Sequence, residues 1–216
     1  MTRNLKIMVL DPAGNMWGSE RVLLDFLGSD VVRNKNIGLC CPPNTPLADA
    51  ANKLGISIYP FFKANLHKTG KLMRLRAAIG LLKACYHHQA DIVYVNQAGA
   101  TRVALLVCRL LKIPTIPHVR LLEDVRYIEN LNVPLKAMPK IIVISEFIKD
   151  AFNKSELITR VNVLYDAYKI KTKSSTNVLK IQISQQICCA GRLVPIKGQD
   201  VLIRAMAMAS ITTLLI

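Results

Sequence analysis

The chain has 216 residues, 51% of them apolar, and carries 29 Lys and Arg against 14 Asp and Glu, for a net charge of +15. That length accommodates one ordinary domain, or one domain and part of a second, since two full domains would need roughly 300–400 residues. The apolar content excludes a disordered chain, and no apolar run nears the roughly 18 residues of a membrane span. Ile7–Leu10, behind Arg3 and Lys6, is too short for a signal-peptide core, so a cytoplasmic location is expected. The charge asks for an anionic partner: phosphorylated small molecules, an anionic membrane surface or nucleic acid. No zinc-finger or RNA-recognition signature is present and aromatics do not interleave with basic residues, so nucleic acid is not expected. The six cysteines, including vicinal pairs Cys40-Cys41 and Cys188-Cys189 in strand-like runs, read as buried thiols of a reducing compartment.

In chain order, Leu5–Leu10 is a short apolar strand ending at Asp11. A loop with Gly14 and Gly18 leads to a helix from Ser19 or Glu20, with Ser19 as N-cap and Val22, Leu23, Phe26 and Leu27 facing the core. A glycine-bearing loop after the first strand of an α/β domain is where ligands bind. A dehydrogenase does not fit: the loop lacks Gly-x-Gly-x-x-Gly, and the second strand, Asn36–Cys41, ends in Cys-Pro-Pro-Asn with no acid for a ribose. Helix Leu47–Leu54 and strand Ile56–Phe61 continue the alternation.

Lys63 to His88 carries six Lys and Arg and no acid. Leu72, Leu75, Ile79, Leu82 and Tyr86 form one helical stripe, flanked by Lys71 and Arg74 on one side and Arg76 and Lys83 on the other. Such a helix either covers a sheet with its stripe or lies on a membrane surface. His87 and His88 could pair with Cys85 on a metal, but helix C-terminal polarity explains them more simply, and no metal is expected. Strand Asp91–Asn96, helix Ala100–Lys112 and strand Ile113–Val119 follow. Asn96, His118 and Arg120 stand at strand ends as polar candidates. Leu121 to Pro139 reads as a loop with short helical pieces. Lys140–Ile144 is a strand, Ser145 a cap or a site residue, and Val161–Tyr165 a strand reaching Asp166-Ala167. Lys169–Gln185 has linker composition.

The last stretch, Ile187–Ala190, Gly191-Arg192-Leu193-Val194-Pro195-Ile196-Lys197-Gly198 and a helix over Gln199–Ala209, reads as strand, basic turn and helix start. Unpaired N–H groups at the helix start, the fork of Arg192 and the charge of Lys197 together suit a phosphate. The bland alternative is an ordinary turn with two solvated cations.

GRLVPIKGQDVLIRAM resembles the opening of the C-terminal domain of glycosyltransferase family 4, of GT-B architecture. The resemblance implies that Arg192 and Lys197, with Gly198, hold the diphosphate of a nucleotide-sugar. Gly18-Ser19-Glu20-Arg21-Val22 resembles the family's Gly-Gly-(Ala/Ser)-Glu-Arg-Val helix opening, which implies that Gly14, Gly18 and Ser19 face donor phosphate and acceptor; Trp17 departs from the usual Gly. Thr115-Ile116-Pro117-His118 matches the place of a His that faces the reacting sugar, and Ile141–Glu146 resembles the family's Ile-x-Val-Ser-Glu. The implied organisation is an N-terminal Rossmann-like α/β domain over residues 1–168, with helices on both faces of a parallel sheet, a linker over 169–185 and the start of a donor-binding α/β domain over 186–216. The implied reaction is retaining, metal-independent and cofactor-free transfer from a donor such as a UDP- or GDP-sugar to a sugar, glycan or glycolipid acceptor. The net charge and the acid-free basic stretch Lys63–His88, rather than the resemblance, add peripheral contact with the cytoplasmic face of a membrane as an alternative to a purely cytoplasmic location. After the strand Ile211–Ile216 no paired-glutamate motif appears, so weak or absent activity is expected of these 216 residues. A non-catalytic basic binding module, or a gene remnant, docking on an anionic membrane or partner is the competing expectation.

Overall fold

The computed structural model describes residues 5–32, 35–62, 70–134, 136–153, 155–167, 187–191, 193–209 and 214–215. The chain divides into two compact units, residues 1–170 and 171–216.

The first unit alternates strands and helices: β1 (Lys6–Leu10), α1 (Gly18–Leu27), β2 (Asn36–Cys41), α2 (Pro46–Lys53), β3 (Ser57–Pro60), α3 (Lys71–His88), β4 (Ile92–Val95), α4 (Thr101–Leu111), β5 (Thr115–Val119), α5 (Glu123–Glu129), β6 (Ile141–Val143), α6 (Glu146–Asp150) and β7 (Val161–Val163). All seven strands are parallel, in the order β3-β2-β1-β4-β5-β6-β7. This is the Rossmann-like α/β class expected from the alternation. The order reverses between β1 and β4, and the crevice at their C-terminal ends is where such sheets bind ligands.

Buried strands read as near-continuous apolar runs because helices cover both faces. On one face Met8, Leu10, Cys40, Val93 and Val95 pack with Ala77, Leu81 and Ala84 of α3 and Val103, Ala104 and Val107 of α4. On the other, Val9, Ile37, Leu39 and Cys41 meet Leu23 and Leu27 of α1 and Leu47, Ala48 and Ala51 of α2. Cys40 and Cys41 thus point to opposite faces as their spacing predicts. Burial pushes the Cys40 thiol well up and those of Cys41 and Cys85 up to about 12, as inert core thiols require. A third cluster joins Val119, Ile141, Val143 and Val161 to Ile128, Ile148 and Phe152.

Three expectations change. Helix α1 begins at Gly18 with Trp17, not Ser19, at the N-cap; Glu20, one turn in, closes the end by accepting from the Trp17 backbone N–H at 3.0 Å. That phase turns Glu20, Leu23 and Leu27 inward and leaves Phe26 51% exposed. In α3 the buried line is Ala77, Leu81, Ala84, Cys85 and His88, whereas Leu72, Leu75, Ile79 and Tyr86 face solvent. Small residues let α3 approach the sheet, so the bulky stripe points outward. His88, rather than serving helix polarity, is buried against Tyr59, with Nδ1 3.2 Å from the Tyr59 hydroxyl and Nε2 3.4 Å from the Asn36 carbonyl.

Helix α2 starts as its sequence directs, with Thr45 as N-cap and Pro46 at the first helical position. The Thr45 hydroxyl donates to the Pro42 carbonyl at 2.8 Å and accepts from the Ala48 N–H at 3.4 Å. Gly14 lies against it with φ +66°, and a Cβ there would stand 2.7 Å from Thr45 Oγ1. Gly14→Ala therefore meets both a left-handed backbone and a displaced cap, and should cost about 2 kcal/mol, measured as a lowered urea midpoint. An unchanged midpoint would mean the loop has room to move away from α2.

In the second unit, β8 (Ile187–Cys188) pairs in parallel with β9 (Leu214–Leu215). A 3-10 turn over Pro195–Lys197 and α7 (Gln199–Met208) lie between them in sequence. The strand–turn–helix–strand reading of this stretch holds for the described residues. The expected linker, 169–185, lies outside them.

Candidate functional site

Four segments bring polar side chains to the C-terminal ends of the strands at the β1/β4 crossover. Asp11, directly after β1, is fully buried. Its Oδ1 accepts from the N–H groups of Ala13 and Gly14 at 3.0 and 3.1 Å, which folds the loop back over the strand end. Its Oδ2 accepts from Nδ2 of Asn96, after β4, at 2.8 Å. Asn96 in turn accepts, through its Oδ1 at 3.1 Å and its backbone carbonyl, from the guanidinium of Arg120, after β5. Arg120 reaches on to Asp166, after β7, at 3.5 Å. Burial raises the Asp11 carboxyl above its usual value, and the nearby charge of Glu20 adds to this, against the N–H donors.

His118, in β5, is 3% exposed, and its Nδ1 lies 2.6 Å from the Tyr94 hydroxyl. Burial first, and the Arg120 charge second, lower its pKa to about 3, so the imidazole is neutral at physiological pH. Tyr94 is pushed up by burial, and the Arg120 charge opposes this. A Tyr94 hydroxyl that donates to Nδ1 puts the imidazole proton on Nε2. Nε2 is buried and, among the described residues, without a hydrogen-bond partner, an exception to the rule that buried polar atoms are paired.

Glu20 is also fully buried. Besides closing α1 it accepts from Gln97 Nε2 at 2.6 Å, tying the start of α1 to the end of β4. Exposed Gly18 and half-buried Ser19 form the first turn of α1, where free N–H groups and partial positive charge suit an anion.

The structure thus gathers Gly14, Asn96, Arg120 and His118 around one network, with Gly18 and Ser19 on the adjoining helix start. Ser145 is not part of it: its Oγ accepts from the Ile148 N–H at 3.3 Å, as the N-cap of α6. In the second unit Lys197 is exposed, and Gly198, at φ +69°, opens α7 without a side-chain cap. Arg192 lies outside the described residues. Sequence reasoning passed over Asp11, Glu20, Tyr94 and Asp166 as site residues. The one signal was an acid standing directly after an apolar strand. Among the described residues no cluster of three His, Cys, Asp or Glu could hold a metal.

The first unit has the α/β fold of GT-B glycosyltransferase domains, and its polar network stands at the C-terminal edge of the sheet. The solved structures it matches include Anabaena HepE in complex with UDP and glucose, with a TM-score of 0.71 and 20% identity over 94% of this chain and 58% of that one. A glycosyltransferase from Rickettsia africae matches with a TM-score of 0.60 and 12% identity, covering 98% of this chain and 51% of that one. The apo lipopolysaccharide outer core galactosyltransferase WaaB gives a TM-score of 0.59 and 19% identity over 78% and 47% of the two chains. The chain therefore spans little more than half the length of HepE and about half that of the other two. No protein-family model matches it, and no curated protein sequence does.

Proposed function

We propose that the chain serves a glycosyltransferase of family 4 type, which moves a sugar from a nucleotide donor to an acceptor with retention and without a metal. The buried network at the crossover carries this reading. Burying the Asp11 carboxylate and half-burying the Arg120 guanidinium at strand ends costs stability, and is understandable where a ligand must be oriented. The HepE structures hold UDP with glucose and UDP-glucose, which supports a uridine nucleotide-sugar as donor. A sugar, glycan or glycolipid is the acceptor by the same reading. His118 is assigned to the reacting sugar. Because it is neutral, it acts by hydrogen bonding through Nε2 and not as an acid. Asp11, Asn96 and Arg120 hold the Gly14–Gly18 loop and orient Tyr94 and His118. Arg192, Lys197 and the start of α7 are assigned to the diphosphate, whose negative charge grows as the sugar leaves.

Calorimetric titration of UDP, GDP and UDP-glucose into the chain tests the donor assignment. UDP should bind, and Arg192→Ala with Lys197→Ala should weaken it at least tenfold, the loss of charge-assisted phosphate contacts. Equal affinity of variant and parent would remove both residues from the site. Whatever turnover of UDP-glucose the chain shows should be insensitive to EDTA; turnover present without the chelator and lost on its addition would refute the metal-independent mechanism.

A further inference from the structure

The outer faces of α3 and α4 carry large apolar side chains that the fold does not use. On α3 Leu72 is 78% exposed, Leu75 58%, Ile79 46% and Tyr86 74%; on α4 Leu106 is 58% and Leu110 69% exposed. The two helices cover the same face of the sheet and touch one another, so their outer sides form one continuous ridge. Around these residues stand Lys71, Arg76, Lys83, Arg102 and Arg109, all exposed, and neither helix contains an acid. A stripe of this size exposed beside cations marks an interaction surface.

We infer that this ridge docks on an anionic lipid bilayer. Charge complementarity selects the occupant: five cations with no interspersed acid favour a uniformly negative surface over a protein face of mixed sign. A pair of adjacent helices can lay an apolar line into a deformable interface, with Lys71, Lys83 and Arg109 reaching outward to headgroups and Arg76 and Arg102 lying over the Phe62 and Tyr127 rings at its margin. Leu72, Ile79 and Tyr86 recur every seven residues, which keeps them on one side of a helix about 27 Å long lying in the membrane plane. Among the described residues no helix is long and apolar enough to cross a membrane, so the contact is peripheral. Helices that return between parallel strands begin at the strands' C-terminal edge. The Lys71 end of α3 and the Arg102 end of α4 thus flank the edge that carries Asp11, Asn96 and Arg120. Docking along the ridge brings that edge to the lipid surface, where a lipid-borne acceptor would be met. The docking itself does not depend on the glycosyltransferase reading.

Vesicle co-sedimentation tests it without any donor or acceptor. The chain should pellet with vesicles containing phosphatidylglycerol, not with phosphatidylcholine alone, and high salt should release it. Arg76→Ala, Lys83→Ala, Arg102→Ala and Arg109→Ala combined should cut partitioning by more than a hundredfold, at about fivefold per cation. Leu72→Ser, Ile79→Ser and Tyr86→Ser combined should abolish pelleting while circular dichroism stays native, since all three side chains are outside the core. Binding that ignores lipid charge, parental binding by either variant, or a ridge buried by self-association in analytical ultracentrifugation would each overturn the inference.

Discussion

Asp11→Ala should lower the stability of the first unit by about 2 kcal/mol. Three donors, the N–H groups of Ala13 and Gly14 and the Asn96 amide, converge on this one carboxylate. Its removal orphans all three in a buried place, at about 1 kcal/mol each, offset in part because no carboxylate must then be kept from water. The Asn96 amide also accepts from Arg120, so the disturbance passes to Arg120 and its partner Asp166. Asp11→Asn separates the two contributions. Its oxygen can still receive the loop N–H groups, but its NH2 then faces the NH2 of Asn96, and turning Asn96 over would set its NH2 against Arg120. An intermediate loss is expected. Urea unfolding measures both, and the emission of Trp17, the single tryptophan, follows the neighbouring loop in the folded state. An Asp11→Ala protein with the parent's urea midpoint would show that the carboxylate does not organise the strand ends.

The same network shows what a linear sequence displays and what it conceals. Alternating short apolar runs and helical stripes identify a parallel α/β sheet, because strands covered on both faces must be apolar throughout. Right-handed crossovers restrict the topologies such a chain can adopt, but the order of the strands, and with it the point of reversal that marks the site's edge, is read from the structure. Asn96 and Arg120 could be nominated because each stands at a strand end, and His118 through the family resemblance of Thr115-Ile116-Pro117-His118. Asp11 could not be singled out, since an acid after a strand is as often a turn residue as a buried anchor; only the convergence of donors distinguishes them. Ser19 has the chemistry of an N-cap, yet Glu20, bonded to the Trp17 N–H and to Gln97, is drawn inward and the cap falls two residues earlier, with Phe26 left facing outward. Periodicity failed most plainly on α3. The helix is apolar on two sides, and its pattern cannot say which side meets the sheet. Ala77 and Ala84 carry less apolar surface than Leu72 or Ile79, but they permit a closer approach of backbones, and packing took the smaller residues.

Acidification from pH 7 to pH 5 should cost the parent protein about 2 kcal/mol through His118 alone, and His118→Asn should remove that slope. The imidazole is 3% exposed and its pKa falls from 6.5 to about 3. A histidine lowered in this way stays neutral in the folded state while the unfolded chain takes up a proton. The unfolded state therefore binds more protons between pH 6.5 and pH 3, and stability is lost as pH falls through that window. At pH 5 the unfolded histidine is already mostly charged, which gives the 2 kcal/mol. His88 is lowered as well, by burial, but it is common to parent and variant and cancels in the difference. Asn can keep an acceptor near the place of Nδ1 for the Tyr94 hydroxyl and does not titrate. The absolute stability of the variant will fall from the smaller side chain, so the comparison rests on the two pH slopes measured by urea unfolding. Parallel slopes would mean that His118 takes up its proton in the folded protein at an ordinary pH, which would make it an available acid. The neutral hydrogen-bonding role assigned to it in sugar transfer would then have to be given up.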